Sequence, residues 1–269
     1  MTTHDLYHLL QLPQEVIDRL EACAQPDLSW LTADLRARYL TRSTSDEGLE
    51  AIRGHIGEDP DGMRILWVLL EMARDTWAQY ESRRIPADIF AATFGFVPRF
   101  LHQHKELTGS YAFTKAWWFW RQLAMLEYRI GCLEYELVEE ADGQREISLH
   151  IPGDADLRPA SVEASFQAFR AFLAAQYPDW LDVPWVCDSW MMSPALEQLL
   201  PETSNVLAFN RRFETLHVEE DSLGVLDWVF PPHREVSDAL PENTSLQRSM
   251  KAWLLSGRKI GWCKAVLKA

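Results

Sequence analysis

The sequence predicts an α+β protein, in which a helical N-terminal domain (residues 1–130) precedes a mixed β-sheet domain with flanking helices (residues 131–269). Apolar residues recur at helical spacing through most of the first 130 residues. Strict alternation of apolar and polar residues begins after Gly131, and helix-like and strand-like segments then follow one another. With 269 residues and 47% hydrophobic content, the chain can bury one large core or two smaller ones.

The N-terminal region contains several helix signals. Asp59-Pro60-Asp61-Gly62 predicts a helix start, and MRILWVLLEMARDTWAQY after it is apolar every three or four residues. A further helix is predicted from Pro86 to Gly109, with a break or kink at Pro98. Two neighbouring apolar stripes in TKAWWFWRQLAMLEYRIG predict a buried helix. Shorter helices are expected at 13–24 and 28–40, followed by a polar loop, TRSTSDEG.

The C-terminal region contains both helix-like and strand-like patterns of apolar residues. LEYELVEE and REISLHI predict a hairpin, because the ADGQ segment between them contains an Asp-Gly turn signal. A helix is predicted in SVEASFQAFRAFLAAQYP, a strand in PWVCDSWMM and a short helix starting at Ser193-Pro194. Strands are then predicted in NVLAFNRRF, TLHVEE and VLDWVF, a helix from Asn243 or Thr244 to Gly257, and a last strand in KIGWCKAVL.

Charge restricts the classes of partner. The net charge of −14 argues against a general nucleic-acid binder. Residues 131–242 carry 6 Lys and Arg against 22 Asp and Glu, whereas residues 243–269 carry 6 against none. The acidic segment favours cationic partners such as amines, and the basic tail can take phosphates, although solubility alone also explains an acidic surface.

The lengths of the apolar runs and the positions of the cysteines indicate the cellular compartment of the protein and the redox state of its thiols. The N-terminus does not resemble a signal peptide, and no apolar run reaches the length of a membrane span. We therefore expect a cytoplasmic protein without a membrane partner. The four cysteines are far apart and lie in apolar runs, so reduced thiols are expected rather than disulfides.

Three groups of residues are candidates for chemistry. Alternation along a strand separates Asp188 from Cys187 and Ser189, so a buried structural Cys187 is favoured over a nucleophile. The predicted helix start at Ser193 can hold an anion, although ordinary capping also explains it. His150, at a strand end before a Pro-Gly turn, is a general-base candidate, and a structural histidine is the alternative. No metal site is predicted, because His4 and His8 have no evident third ligand.

Several segments together resemble a bacterial group of two-part acyltransferases, with a helical N-acyltransferase N-terminal domain and a GNAT-like C-terminal domain. The matching segments span residues 58–266: Glu58-Asp-Pro-Asp-Gly-Met-Arg64, Phe119-Trp-Arg-Gln122, Arg129-Ile-Gly-Cys-Leu-Glu-Tyr-Glu136, His150-Ile-Pro152, Cys187-Asp-Ser-Trp190, Ser193-Pro-Ala-Leu196, Leu200-Pro-Glu-Thr-Ser-Asn205 and Thr244-Ser-Leu-Gln-Arg248. The resemblance implies a GNAT-like sheet and acyl transfer from a coenzyme A thioester to an amine.

The resemblance also implies where the site lies. A strand backbone beside a gap between two splayed strands would hold the thioester arm and donate to its oxyanion, and residues 185–191 are expected to form that strand. The predicted co-substrate contacts are Cys187, Ser189, Trp190, Ser193, Ala195, Arg248, Lys251 and Arg258. The general base is expected among His150, Glu136, Asp188 and Glu134, with His150 preferred because its ordinary pKa of about 6.5 suits the task.

Two interpretations of function therefore arise. The first is an acyl-CoA-dependent N-acyltransferase acting on a small amine. The second is a non-catalytic binding module on a GNAT-like scaffold, because residues 191–196 contain no glycine for a pyrophosphate loop. An acyl relay through Cys187 is the least favoured alternative.

Overall fold

The computed structural model describes residues 1–24 and 27–268. The chain divides into two compact units, Met1–Arg129 and Ile130–Ala269. The first unit is built mainly of helices, and the second contains most of a β-sheet and its flanking helices. This arrangement confirms the predicted α+β class.

The first unit packs around one long helix, α5, which contacts α1, α2, α4, α6 and α8. Its helices are α1 (Thr3–Leu9), α2 (Gln14–Cys23), α3 (Ala33–Tyr39), α4 (Ser45–Ile56), α5 (Met63–Arg83), α6 (Ala87–Phe94), α7 (Phe96–Thr108) and α8 (Ala116–Leu123). Asp59 accepts hydrogen bonds from the amides of Arg64 and Ile65, at 3.0 and 2.8 Å, and so caps the start of α5. The Asp-Pro-Asp-Gly segment is therefore a helix start, as predicted, although the helix begins at Met63 rather than at Pro60.

Two predictions in this unit, a loop at TRSTSDEG and a helix break at Pro98, are wrong for packing reasons. TRSTSDEG is not a loop, since a 3₁₀ turn leads into α4 at Ser45. Gly48 lies so close to Tyr39 that an added Cβ would be 2.5 Å from its backbone, and Leu49, Ile52 and Ile56 are buried on the same helix. The break between α6 and α7 lies at Gly95, because Pro98 falls in the first turn of α7, where no amide donor is needed.

The predicted long aromatic helix is shorter than expected. Helix α8 ends at Leu123, and Glu127–Ile130 already forms strand β1. Met125 adopts a left-handed backbone conformation with φ of 57°, which ends the helical path. Buried Glu127 then accepts hydrogen bonds from Trp118 Nε1 and Gln122 Nε2, at 3.2 and 2.7 Å, and fixes the start of the strand against α8.

The second unit alternates strands and helices. After β1, its elements are β2 (Leu133–Glu139), β3 (Arg145–His150), α9 (Pro159–Gln176), β4 (Trp185–Ser189), α10 (Leu196–Leu199), α11 (Asn205–Asn210), β5 (Phe213–Glu219), α12 (Val225–Val229), α13 (Ser245–Leu255) and β6 (Trp262–Leu267). The predicted hairpin, the helix of residues 161–178 and the last helix and strand are confirmed by β2, β3, α9, α13 and β6.

The sheet of the described residues has the strand order β1-β2-β3-β4-β6-β5. Strands β2 and β3 are antiparallel, β3 and β4 are parallel, and β4, β6 and β5 continue antiparallel. Helix α9 connects the parallel pair as a βαβ crossover. Its Phe166 and Phe169 pack on Trp185 of β4, and Phe169 stacks on Tyr135 of β2 with ring centroids 3.9 Å apart.

Two predicted strands in this unit are short helices. Asn205–Asn210 is α11, whose start is capped by Ser204 through a 3.2 Å hydrogen bond from the Val206 amide. Val225–Val229 is α12, which buries Val225 and Leu226 and leaves Trp228 exposed. Continuous apolar runs this short fit either element, so tertiary packing decides between them.

Within the portion of the chain that the structure describes, no helix has both the length and the apolar character needed to cross a bilayer.

Candidate active site

The sheet register places the candidate bases on one face. Glu134 pairs with His150 and Glu136 with Ser148, and Ser148 pairs in turn with Val186 of β4. Side chains of paired residues point to the same face, and alternate residues along a strand share a face. Asp188, two residues beyond Val186, therefore lies on the face that carries His150, Glu136 and Glu134.

An independent contact confirms this assignment of faces. Lys264 of β6 pairs with Asp188, and its Nζ reaches Glu146 of β3 at 2.7 Å. That ion pair crosses β4 on the face that carries His150. Tyr135 and Trp185 lie on the opposite face, which α9 covers.

His150 and Glu136 form a hydrogen-bonded pair. His150 Nε2 lies 3.0 Å from Glu136 Oε2, and the Glu136 side chain is only 3% exposed, against 23% for His150. A buried carboxylate that accepts from an imidazole fixes the ring orientation and stabilises the imidazolium once the ring takes up a proton. The structure thus brings together two of the four candidate bases.

The ladder between β3 and β4 is short. Only Ile147 with Trp185 and Ser148 with Val186 are paired, whereas β4 stays paired with β6 as far as Ser189 opposite Cys263. Beyond Ser148 and Val186 the two parallel strands therefore run on without pairing to each other. The opening expected between two splayed strands would lie at this end of the pair.

One backbone amide faces this opening. Ile147 N donates to Pro184 O at 2.9 Å, so the C=O of residue 184 points toward β3. Because alternate residues of a strand direct their N–H and C=O groups to the same side, Asp188 also directs its amide toward β3. Since Asp188 lies past the last paired residue, its N–H is a donor at the edge of the opening.

Cys187 lies on the face covered by α9 and is fully buried. Burial raises the pKa of its thiol, so the thiolate needed for nucleophilic attack is strongly disfavoured. Ser189 Oγ accepts a 3.1 Å hydrogen bond from the Met191 amide and thereby caps a 3₁₀ turn, Trp190–Met192. Both residues serve the fold of this strand and turn, which agrees with a structural Cys187.

The helix predicted to start at Ser193 is displaced. Helix α10 begins at Leu196 and has four residues. Ser193 is 1% exposed, donates to Ile260 O and accepts a 3.2 Å hydrogen bond from the Ala195 amide. A Ser-Pro pair commonly marks the start of a helix. Here the Ser193 hydroxyl instead hydrogen-bonds the connection between α13 and β6. Trp190 is buried beside it, so this segment offers no open cradle for phosphates.

The three predicted basic contacts differ in availability. Lys251 is engaged, since its Nζ bonds the carbonyls of Asp238 and Leu240 at 2.6 and 2.9 Å and forms a 2.8 Å ion pair with Glu242. Arg248 is exposed and donates to Glu242 O, and Arg258 is exposed and stacks on the Trp253 ring at 3.7 Å. Arg248 and Arg258 therefore stay candidates for phosphate contacts. Lys251 is already held by two carbonyls and a carboxylate, so its position is explained without a ligand.

The sequence reasoning did not select the β3–α9 connection, residues 151–158, which leaves the sheet at the opening. Because α9 links two parallel strands, its first residue, Pro159, lies at the edge where β3 and β4 end, which is the usual ligand edge of such units. Asp156 accepts from Arg158 and from Ser161 Oγ there, and these hydrogen bonds lower its pKa. The sequence did contain a signal for this connection. A predicted strand is followed by a Pro-Gly turn in IPGDADLRP and then by a long helix in SVEASFQAFRAFLAAQ.

Comparison with family models accounts for nearly the whole chain. Residues 127–267 match the GNAT-like C-terminal domain, and residues 1–125 match the N-acyltransferase N-terminal domain. The chain therefore belongs to the acyltransferase family that carries a GNAT-like C-terminal domain, here preceded by an N-acyltransferase N-terminal domain. The resemblance carried by the sequence motifs is confirmed. No curated protein sequence matches the chain significantly.

Solved structures share the fold. An acyltransferase in complex with decanoyl-CoA is 22% identical with a TM-score of 0.79, over 98% of this chain and 86% of that one. An acyltransferase with decanoyl-CoA and teicoplanin is 23% identical with a TM-score of 0.81, and one with CoA and 10C-teicoplanin is 24% identical with a TM-score of 0.80. Each of the last two matches covers 99% of this chain and 87% of the other.

Proposed function

We propose that the protein is an acyl-CoA-dependent N-acyltransferase whose thioester arm lies between β3 and β4. The observation that carries the proposal is the early end of the β3–β4 ladder, at Ser148 and Val186, beside the His150–Glu136 pair. Membership of an acyltransferase family and the acyl-CoA complexes of the solved relatives support the same reaction class.

The chemistry assigns a role to each group. An amine must lose a proton before it attacks the thioester, and the His150 imidazole takes that proton while Glu136 orients the ring and stabilises its charge. Attack of the amine nitrogen on the thioester carbon gives a tetrahedral intermediate, whose oxyanion receives a hydrogen bond from the Asp188 amide at the edge of the opening. Collapse of this intermediate forms the amide, breaks the C–S bond and releases the CoA thiolate, which takes up the proton held by the His150 imidazolium. The Asp188 carboxylate, on the same face as His150, attracts the ammonium form of the acceptor.

The phosphates belong near the start of α9 rather than at Ser193. An anion is favoured at a helix N-terminus, and that end of α9 lies at the same sheet edge as the opening. Arg158 is exposed at this point, where a phosphate can compete with Asp156 for its guanidinium.

The acceptor is an amine of larger size than the sequence predicted. Two solved relatives were crystallised with teicoplanin or its 10C form as well as an acyl-CoA or CoA. An amine on a bulky scaffold suits a site whose base lies at a strand end, and the acidic segment around it favours a cationic group.

Titration calorimetry with CoA, acetyl-CoA, octanoyl-CoA and decanoyl-CoA tests the proposal. Binding of at least one thioester is expected, with a raised melting temperature, since a ligand at 100 times its Kd stabilises the fold by about 2.7 kcal/mol. Absence of binding to all four at millimolar concentration would contradict the proposal and favour the non-catalytic module. A panel of amines, including teicoplanin, with detection of released thiol then identifies the acceptor class.

A further inference from the structure

A second candidate site lies on the second unit, away from the His150–Glu136 pair. It is a cleft of about 240 Å³, lined by Glu163, Phe166, Arg170, Arg212, Leu267 and Lys268. The first three of these residues belong to α9, and the others flank the start of β5 and the end of β6. Three cations and one carboxylate therefore face one cleft with an apolar floor.

The charge of this cleft is opposite to that of its surroundings. Residues 131–242 contain six basic side chains, all arginines, against 22 acidic ones. Within the described residues, five of these arginines have a carboxylate partner within 4.0 Å: Arg145 with Glu139, Arg158 with Asp156, Arg211 with Glu197, Arg212 with Glu163 and Arg234 with Asp227. Among the described residues Arg170 has no such partner, and its guanidinium instead lies over the Trp185 ring, 4.8 Å from the ring centroid.

The basic side chains of the cleft are positioned by contacts with neighbouring residues. Arg212 is fixed by its 3.1 Å ion pair with Glu163 and lies 5.8 Å from the centre of the Phe166 ring. Lys268 Nζ donates to the carbonyl of Arg211 at 2.8 Å and keeps donors for another group. Stacking on Trp185 holds the planar donor face of Arg170 in position, so less side-chain entropy is lost when an anion binds.

We propose that this cleft binds the dianionic phosphate group of a phosphate monoester. Two arginines and a lysine converge, a combination that suits phosphate because guanidinium groups bind its oxygens in pairs and an ammonium adds a point charge. Phe166 and Leu267 offer apolar surface to the organic part of the ester. The proposal does not depend on the proposed acyl transfer. The cleft nevertheless lies near the start of α9, because Arg212 Nη2 reaches the carbonyl of Pro159, the first residue of that helix, at 3.4 Å.

Two sources supply this chemistry: the 3′-phosphate of CoA, and a separate phosphorylated metabolite. Proximity to the start of α9 makes the first source compatible with phosphates of the co-substrate placed at that end. Comparison of CoA with 3′-dephospho-CoA separates the two sources.

Titration calorimetry with inorganic phosphate, in buffer free of other polyanions, tests the site on the full chain. We expect saturable binding that weakens at least tenfold in the double variant Arg170→Gln/Lys268→Gln. Arg145→Gln is the matched control, because Arg145 also stacks on a tryptophan, Trp180 at 5.0 Å, but is paired with Glu139 and lies outside the cleft. Absence of phosphate binding, or equal loss in control and double variant, would overturn the proposal.

Once phosphate binding is established, the comparison of CoA with 3′-dephospho-CoA identifies which phosphate ester the cleft binds. If CoA binds more tightly than 3′-dephospho-CoA and the difference disappears in the double variant, the cleft holds the 3′-phosphate. If phosphate binds but the two CoA forms bind alike, the cleft takes a separate phosphate ester. Failure of both CoA forms to bind, with phosphate binding intact, would contradict the acyl-CoA proposal and leave this site standing. Unchanged near-ultraviolet circular dichroism verifies that each variant is folded.

Discussion

At the scale of single residues, the proposed general base and its partner differ in burial. His150 is partly exposed at the end of β3, whereas its partner Glu136 is buried in the interior of β2. A buried carboxylate needs hydrogen-bond donors, and the imidazole supplies one. The pair therefore holds the ring in one orientation before any substrate arrives.

Replacing His150 by Gln is expected to reduce kcat for acyl transfer by about 100-fold or more, because the amine then loses its base. Glu136→Gln keeps the hydrogen-bonding shape and is expected to reduce kcat by about tenfold. Thiol release from acyl-CoA measures both rates. Unchanged kcat in His150→Gln would remove this residue from the mechanism.

The two functions proposed for Asp188 are separable by substitution. Asp188→Pro removes the amide that faces the opening without removing a bond to β6, so kcat should fall by about 10²–10³ with the fold retained. Asp188→Asn keeps the amide and loses the charge, so KM for a cationic acceptor should rise with little change in kcat. Steady-state kinetics on both variants distinguish these effects. A folded Pro variant with normal kcat would show that the oxyanion donor lies elsewhere.

At the level of elements, the periodic segments were predictable and the tertiary exceptions were not. The β2–β3 hairpin and α9 follow from alternation and helical spacing over long windows. Ser193 carries a normal helix-start sequence, but its hydroxyl bonds Ile260 O, 67 residues later in the chain. In the active site the candidate bases were predictable as residue types. Their placement on one face depends on the β2–β3–β4 register, which the sequence does not specify.

The α5 start depends on a close backbone approach that only glycine permits. Gly62 has φ of 70°, and an added Cβ would lie 2.0 Å from Phe113 O. Gly62→Ala is expected to lower the free energy of unfolding by at least about 2 kcal/mol more than Gly109→Ala. Gly109 has φ of 85° with nothing within 4 Å of the added Cβ, so its variant reports backbone strain alone. Urea denaturation measures both, and equal losses would contradict the steric argument.

The hydrogen bonds that Asp156 accepts just before α9 predict a pH dependence of stability. Hydrogen bonds from Arg158, then from Ser161 and the Arg158 amide, lower the pKa of Asp156 below its usual range. The unfolded state therefore binds this proton more readily than the folded state, and the contribution to stability is complete above the unfolded pKa of about 3.9. It decreases as the pH falls from there toward the lower pKa of the folded protein.

The urea midpoint of Asp156→Asn should accordingly lie below that of the wild type at pH 7, with the difference closing below about pH 4. Asp221→Asn is the control, because Asp221 is exposed and forms no hydrogen bond or ion pair with the residues that the structure describes. A constant difference between wild type and Asp156→Asn from pH 7 to pH 3 would show that the Asp156 side chain stabilises the fold without its charge.

On the scale of the whole molecule, the charge distribution separates the two substrates of the proposed reaction. The net charge of −14 comes mainly from residues 131–242, which contain the active-site strands. A cationic amine would be attracted to this surface over long range, whereas the polyanionic acyl-CoA would depend on local cations. The field therefore sets the encounter rate of the acceptor, and the clusters of arginine and lysine set the binding of phosphates.

The rate with a cationic acceptor should consequently fall as salt is added. Screening shortens from about 30 Å at 0.01 M to about 10 Å at 0.1 M ionic strength, so kcat/KM for the amine should drop severalfold over that range. An acceptor amine that also carries two carboxylates is the matched control, and its kcat/KM should rise or stay constant, since the same field repels it. Neutralising an exposed acidic run, by Glu219→Gln with Glu220→Gln and Asp221→Asn, should flatten the salt dependence for the cationic acceptor. Equal salt dependence for both acceptors would show that the acidic surface serves solubility and does not guide the substrate.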